Sequence, residues 1–412
     1  MQNITVRPYD KEKDKNAVHR IWKEVGWLEK GKEKVMDTFL SACEATVAEI
    51  NENAEFLVLT SSGTIQYQEE KLPFSGVMGV TTSRIARKRG LATKITAEAI
   101  AKSAENGSVL SGLGIFEQGF YNKLGYGSGG YEHIVSFDPA ELKITSSFRI
   151  PKRLTLKDWK LIHKSRLERK TSHGQVNFFD PKITKAEMEW IHNGFGLGYF
   201  DETGKKLTHH IWFSARNNET GPFWISWMSY QNREQFLELL ALIKSFNDQV
   251  RLISMVEPPF IQMQDFLKQP FRFQQITEKS KFENRIKALS YWQVRICNLE
   301  YCLEKTQLNC PDYEFNLQLT DPIEKYIDNK FSWKGISGNY IIHLGKKSFA
   351  EKGFNKKLPV LKTSVGAFTR MWLGILPATA LSFSDEFATS EKLLKFLDKA
   401  FLLPVPKTNW SF

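Results

Sequence analysis

The first third of the chain alternates two hydrophobic rhythms. Apolar runs at 4–7, 56–60, 64–68, 75–82 and 109–114 have the length of strands, while 17–25, 34–50 and 91–106 space their apolar residues three and four apart and predict helices. The last of these carries Leu91, Ile95 and Ala99 on one face and stops at Asn106-Gly107. Ser62-Gly63 reads as a hairpin turn, and a strand at 131–137 closes this part before Asp138-Pro139. The same order partly returns: Thr155-Leu156-Lys157-Asp158-Trp159 opens a helix, strands fit at 197–200, 208–213 and 223–228, a helix at 236–246 and a strand at 251–256. The remainder has strands at 292–297, 313–319 and 340–343 and two helices capped by Thr363-Ser364 and Thr389-Ser390. Pro404 and Pro406 then force an extended tail that runs to Phe412. These rhythms divide the chain at 1–145, 146–288 and 289–412, and the expected class is α/β (α+β), built on mixed sheets.

Composition narrows the class. With 412 residues, 42% hydrophobic and 13% aromatic, the chain can fill several packed cores. It contains no apolar run near the roughly 18 residues that would span a bilayer, and its start lacks an apolar signal segment, so a cytoplasmic protein is expected. Cys43, Cys297, Cys302 and Cys310 lack metal-ligand spacing and suit free thiols in a reducing compartment; no metal is expected. The formal charge of +11 is spread over mixed acidic and basic runs, and no zinc-finger, RRM-like or helix-turn-helix pattern accompanies it. Nucleic acid is therefore not an expected partner.

One segment carries chemistry. Ser83-Arg84-Ile85-Ala86-Arg87-Lys88-Arg89-Gly90-Leu91-Ala92 joins strand 75–82 to helix 91–106. Gly90 lets a backbone approach closely, the first N–H groups of the helix lack partners, and the helix dipole adds positive potential, so this turn suits a phosphate. After strand 109–114 comes Phe116-Glu117-Gln118-Gly119-Phe120-Tyr121-Asn122-Lys123-Leu124-Gly125-Tyr126-Gly127, an aromatic helical segment.

The two motifs, in this order and spacing, resemble the N-acetyltransferases of the GNAT superfamily, whose R/Q-x-x-G-x-G/A loop holds the pyrophosphate of acetyl-CoA and whose F-Y segment follows it. Gln231-Asn232-Arg233-Glu234 stands at the equivalent place in the middle part without a glycine, so that part reads as a degenerate GNAT-like domain. An active GNAT domain, a degenerate one, a sterol-carrier-like third domain and a terminal phenylalanine together look like the Eis (enhanced intracellular survival) family. Tyr291-Trp292-Gln293-Val294-Arg295 and Ser364-Val365-Gly366-Ala367-Phe368-Thr369 also look like its third domain. Departures are Ala92 where many GNATs have glycine and Thr82-Ser83 where a proline is often seen.

The resemblance implies acetyl-CoA as co-substrate, with Val80, Thr81 and Thr82 beside the pantetheine arm, Arg87, Lys88, Arg89, Gly90, Leu91, Ala92 and Thr93 around the pyrophosphate, and Phe116 and Glu117 near the reactive end. It gives Tyr121 the role of general acid and the Phe412 carboxylate that of general base, and it suggests a hexamer. The chemistry agrees: a phenol with a pKa near about 10 is protonated at neutral pH and can donate to a thiolate, and burial of a carboxylate raises its pKa toward that of a base. The acceptor the resemblance implies is a primary amine, of aminoglycoside, polyamine or lysine-like type. In GNAT folds the first two helices line its pocket, and here Trp22, Trp27 and Glu29 offer rings and a carboxylate to a cation, beside Glu24, Asp37 and Glu44. The other reading is a silent binder of acyl-CoA, or of a hydrophobic ligand near Ile341, Phe349 and Trp372, without turnover.

Overall fold

Residues 4–117, 119–270, 281, 283 and 285–412 are described by a computed structural model, so Gln118 of the aromatic motif lies outside the described residues. The chain forms two compact units, one of Met1–Gly130, His173–Asp180 and Ser290–Phe412, the other of Tyr131–Ser172 and Pro181–Leu289.

The first unit is built on an eight-stranded sheet. Its strands β1 (Ile4–Pro8), β2 (Glu44–Ile50), β3 (Asn53–Tyr67), β4 (Glu70–Thr82) and β5 (Leu110–Gly114) lie side by side in that order, followed by Trp292–Ile296 and Gly127–Ser128, while Val176–Phe178 pairs with the far half of β3. Three helices interrupt it: α1 (Lys11–Glu24), α2 (Glu33–Leu40) and α3 (Leu91–Glu105). Asp10 caps α1 by accepting from the Glu12 and Lys13 amides, and α3 packs Ile95 and Ile100 against Val58 and Val77 of the sheet.

Two local expectations are corrected. The stretch 34–50 is not one helix: α2 ends at Leu40, and Glu44–Ile50 is a strand whose Thr46, Val47 and Ile50 favour a pleated surface. Ser62-Gly63 is no turn but lies inside β3; the turn to β4 is Gln68-Glu69, with Gln68 at φ +50°. A side chain on Gly63 would overlap the Asn177 carbonyl, so this glycine serves the close approach of a neighbouring strand.

Two strands also lie outside the boundaries expected from the sequence. Glu132–Phe137 pairs with Ile253–Val256 and Arg285–Leu289 in the second unit, and Trp292–Ile296 pairs antiparallel with β5 in the first. The latter is pinned by Arg295, wholly buried, whose guanidinium meets the Asp321 carboxylate at 2.5 Å and donates to the Leu124 carbonyl. Asp321 also accepts from the Ile336 amide at 3.0 Å.

The second unit carries a seven-stranded sheet and repeats the core connection of the first. Phe223–Ser229 leads through the helix Arg233–Lys244 to Ile253–Val256, and the two strands pair in parallel, as β4, α3 and β5 do. The residues 290–412 add a five-stranded sheet to the first unit, ordered Phe349–Lys352, Gly338–Leu344, Tyr313–Thr320, Val360–Ser364, Phe387–Ala388. Ser364 caps the helix Val365–Trp372, and Ser390 caps Glu391–Ala400. The fold is thus mixed α/β with tandem GNAT-like sheets and a third mixed sheet.

Removing one partner of a buried ion pair strands the other. Asp321→Ala is expected to lower the unfolding free energy by about 3–5 kcal/mol in urea titration; a loss below about 1 kcal/mol would show that the pair does not hold this strand in place.

Candidate active site

The parallel pairing of β4 with β5 covers only Phe74–Val77 against Leu110–Leu113. β4 continues to Thr82 along β3, and on the way two of its residues, Gly79 and Val80, stand opposite the single Val58. This is a bulge with Gly79 at φ +59°, which bends the strand away from its neighbour. Beyond Val77 the edge of β4 that faces away from β3 therefore has no strand partner among the described residues, and an extended arm can pair there with Val80, Thr81 and Thr82.

The basic turn follows at once. Its start is tied down by the Arg84 amide, which donates to the Glu24 carboxylate at 2.8 Å. Lys88 at φ +60° and Gly90 at φ +75° take left-handed conformations, a strained geometry for the lysine. Gly90 is the N-cap of α3 and supplies no capping side chain, so the amides of Leu91, Ala92 and Thr93 begin the helix uncapped. Arg87, Lys88 and Arg89 are exposed and make no ion pair among the described residues. The second unit differs at this place. There the Asn232 side chain caps the helix by accepting from the Gln235 amide, and the Gln235 side chain accepts from the Gln231 amide, so the helix start carries a side-chain cap that α3 lacks.

Tyr121 opens a short 3-10 turn, Tyr121–Leu124, and packs in the core that includes Val77, Leu113 and Tyr126. It is 7% exposed, and its hydroxyl has no hydrogen-bond partner among the described residues. Burial first, and the Glu117 carboxylate second, push its pKa up to about 12, so it stays a proton donor at neutral pH. The Tyr126 hydroxyl, by contrast, is occupied by Ser111 Oγ at 2.7 Å. Glu117 is exposed, and Phe116 is 81% exposed at the end of the β5 connection.

Phe412 reaches the same strand from the other side. A side chain on Gly114 would overlap its main-chain oxygen, and one on Gly112 would meet the Phe74 ring at 2.6 Å. The Phe412 ring stands edge-on to Phe74 and Phe178, with centroids 5.7 and 5.6 Å apart. Such pairs contribute about 0.5–1.5 kcal/mol each beyond burial. Alternate residues of a strand face opposite ways, so Ser111 and Leu113 look toward Tyr121 while Gly112 and Gly114 look toward Phe412.

The acceptor residues fare differently. Trp22 is wholly buried in the apolar stripe of α1 with Val18 and Ile21, so its ring offers no face to a ligand, contrary to expectation. Trp27 is half-buried, and Glu29 is exposed with Lys32 at 2.9 Å. Glu24 serves Arg84, Asp37 meets Lys15 and His19 at 2.8 Å, and Glu44 meets Lys102 at 3.0 Å. Sequence reasoning missed Gly79, Gly114 and Phe178; a glycine inside an apolar strand was the readable signal for the first two.

Residues 6–129 match the family model described as the acetyltransferase (GNAT) domain. The chain carries a GNAT acetyltransferase domain. By this domain it is an enzyme of the acyltransferase class. Solved structures share the fold over the whole chain. A GCN5-related N-acetyltransferase from Anabaena variabilis superposes with a TM-score of 0.79 at 14% identity, covering 100% of both chains. A conserved protein of unknown function from Enterococcus faecalis gives 0.79 at 18%, and Eis1 from Mycobacterium abscessus 0.75 at 10%, each again covering 100% of both chains. No curated protein matches the sequence. No described helix is long and apolar enough to cross a membrane.

Beside the GNAT site, His173 latches the segment that carries Phe178. Its Nδ1 accepts from the Gln68 amide at 3.1 Å, so Nε2 bears the hydrogen and donates to the Leu373 carbonyl at 3.0 Å. Burial lowers its pKa below the ordinary 6.5. The unfolded chain therefore takes up this proton first as pH falls, and the stabilisation is full above pH 6.5 and lost progressively below it. Thermal unfolding of His173→Gln, which does not titrate, is expected to fall less steeply with acid than that of the native chain. Parallel profiles would exclude the latch.

Proposed function

We propose that this chain transfers the acetyl group of acetyl-CoA directly to a primary amine of aminoglycoside, polyamine or lysine-like type. The observation that carries this reading is the placement of an unpartnered phenol, Tyr121, and the main-chain end at Phe412 on opposite faces of one opened strand pair.

Bound acetyl-CoA supplies a thioester carbon open to attack. The uncapped start of α3 with Arg87, Lys88, Arg89, Gly90, Leu91, Ala92 and Thr93 suits its pyrophosphate, and the unpaired edge at Val80, Thr81 and Thr82 suits its arm. Phe116 and Glu117 follow β5 toward the reactive end. As the amine nitrogen forms its bond to the carbonyl carbon, the Phe412 carboxylate takes the amine proton. As the carbon–sulfur bond breaks, the Tyr121 hydroxyl gives its proton to the sulfur. The Trp27 ring and Glu29 remain the proposed contacts of a cationic acceptor.

The cytoplasm is the proposed compartment, which the four free cysteines suit. The sterol-carrier-like reading of 289–412 has support in its separate five-stranded sheet, while the hexamer follows from the family resemblance alone.

The test is release of CoA thiol from acetyl-CoA across aminoglycosides, polyamines, lysine peptides and arylamines. Tyr121→Phe is expected to lower kcat by about 100-fold or more, and one residue appended after Phe412 to remove most turnover while acetyl-CoA binding persists. No release with any amine would favour a silent acyl-CoA binder.

A further inference from the structure

We infer that Phe178 is a positioning residue, whose ring seats the terminal carboxylate of Phe412 at the opened strand pair. The inference rests on the terminal-base reading above and goes beyond it, because the residue lies far from both motifs in sequence and would not touch either substrate.

The segment His173–Asp180 is built into the first unit although the chain on either side of it belongs to the second. Three of its residues, Val176–Phe178, pair antiparallel with Gly63, Thr64 and Ile65 of β3, and this pairing sets where Phe178 stands. The ring is wholly buried. It lies over Gly76, where a side chain would come within 2.7 Å of two of its atoms, one residue before the pairing of β4 with β5 gives out. From there it meets the tail twice, edge-on to Trp410 at 5.7 Å and to Phe412 at 5.6 Å.

The same segment holds the backbone of the tail. The Val176 amide donates to the Thr408 carbonyl at 2.9 Å, and the Lys407 amide donates to the His173 carbonyl at 3.0 Å. These bonds set the direction of the tail at residues 407 and 408, four or more residues short of the end. The last residue is free to swing about its own torsions unless something grips its ring. Phe74 grips one edge and Phe178 another. With both in place the carboxylate has a defined approach over Gly114, and without Phe178 the ring loses one of its two aromatic contacts among the described residues and the support behind Trp410.

The experiment compares the full chain with Phe178→Ala, Phe178→Leu, a chain extended by one residue after Phe412, and the extension combined with Phe178→Ala. Release of phenylalanine by carboxypeptidase reads the seat without reference to activity. Phe178→Ala should release it about tenfold faster than the native chain, with Phe178→Leu between the two. In turnover, Phe178→Ala should lower kcat about tenfold and leave KM for acetyl-CoA unchanged, and should have no further effect in the extended chain. Release at the native rate from either folded variant overturns the seat. Equal losses of kcat in the native and extended chains overturn its action through the carboxylate. Undiminished turnover on extension alone removes the terminal base, a failure the release assay keeps separate from that of the seat. Should Phe178→Ala not fold, Phe178→Leu carries both readouts.

Discussion

The first unit depends on the point at which two parallel strands stop pairing. After Val77 and Leu113 the hydrogen-bond ladder between β4 and β5 ends, and both strands are shaped by glycine there. Gly79 bends β4 and frees an edge for an extended arm, while Gly114 ends β5 with no side chain in the way of Phe412. The alternation of side chains across a strand then sorts the chemistry. A donor and an acceptor on one face would hydrogen-bond to each other and cancel. Tyr121 lies on one face and Phe412 on the other, so in the proposed reaction neither would quench the other.

The second unit shows how little separates a site from a scaffold. It has the same parallel pair and the same connecting helix, Arg233–Lys244. What changes is the helix start. Asn232 places its side-chain oxygen on the Gln235 amide, Gln235 places its own on the Gln231 amide, and no glycine opens the turn. A side-chain cap stabilises a helix start and takes one of the amides an anion would otherwise use.

The sequence made the local chemistry legible and left the long-range pairing hidden. The turn at Gly90, the helix after it and the Tyr121 segment follow from residue types at fixed offsets, and they stand where those offsets put them. Strand membership did not follow. Glu132–Phe137 and Trp292–Ile296 read as strands, yet nothing local says which sheet each will join, because pairing is decided by partners far along the chain. Gly63 misled for a related reason: beside a serine it looks like a turn, and its purpose appears only when Asn177 arrives against it. Trp22 looked like a cage wall because an aromatic next to carboxylates suits a cation. Its position four residues after Val18, with Ile21 three after Val18, was the stronger signal, and it is buried with them.

The base proposed at Phe412 poses a particular physical problem. A side-chain base is held by backbone on both sides, whereas a terminal carboxylate has covalent support on one side only and fluctuates freely unless packing restrains it. The tail meets that problem in stages. Pro404 and Pro406 restrict the chain before it docks and so reduce the entropy lost on docking. Backbone bonds to His173 and Val176 then set its direction. Trp410, 3% exposed, sinks an anchor, and the aromatic ring of Phe412 supplies the final grip against Phe74 and Phe178. A small or charged side chain at the last position would leave the carboxylate chemically identical and spatially undefined, so under the proposed mechanism the identity of a residue whose side chain takes no part in proton transfer would still bear on the reaction.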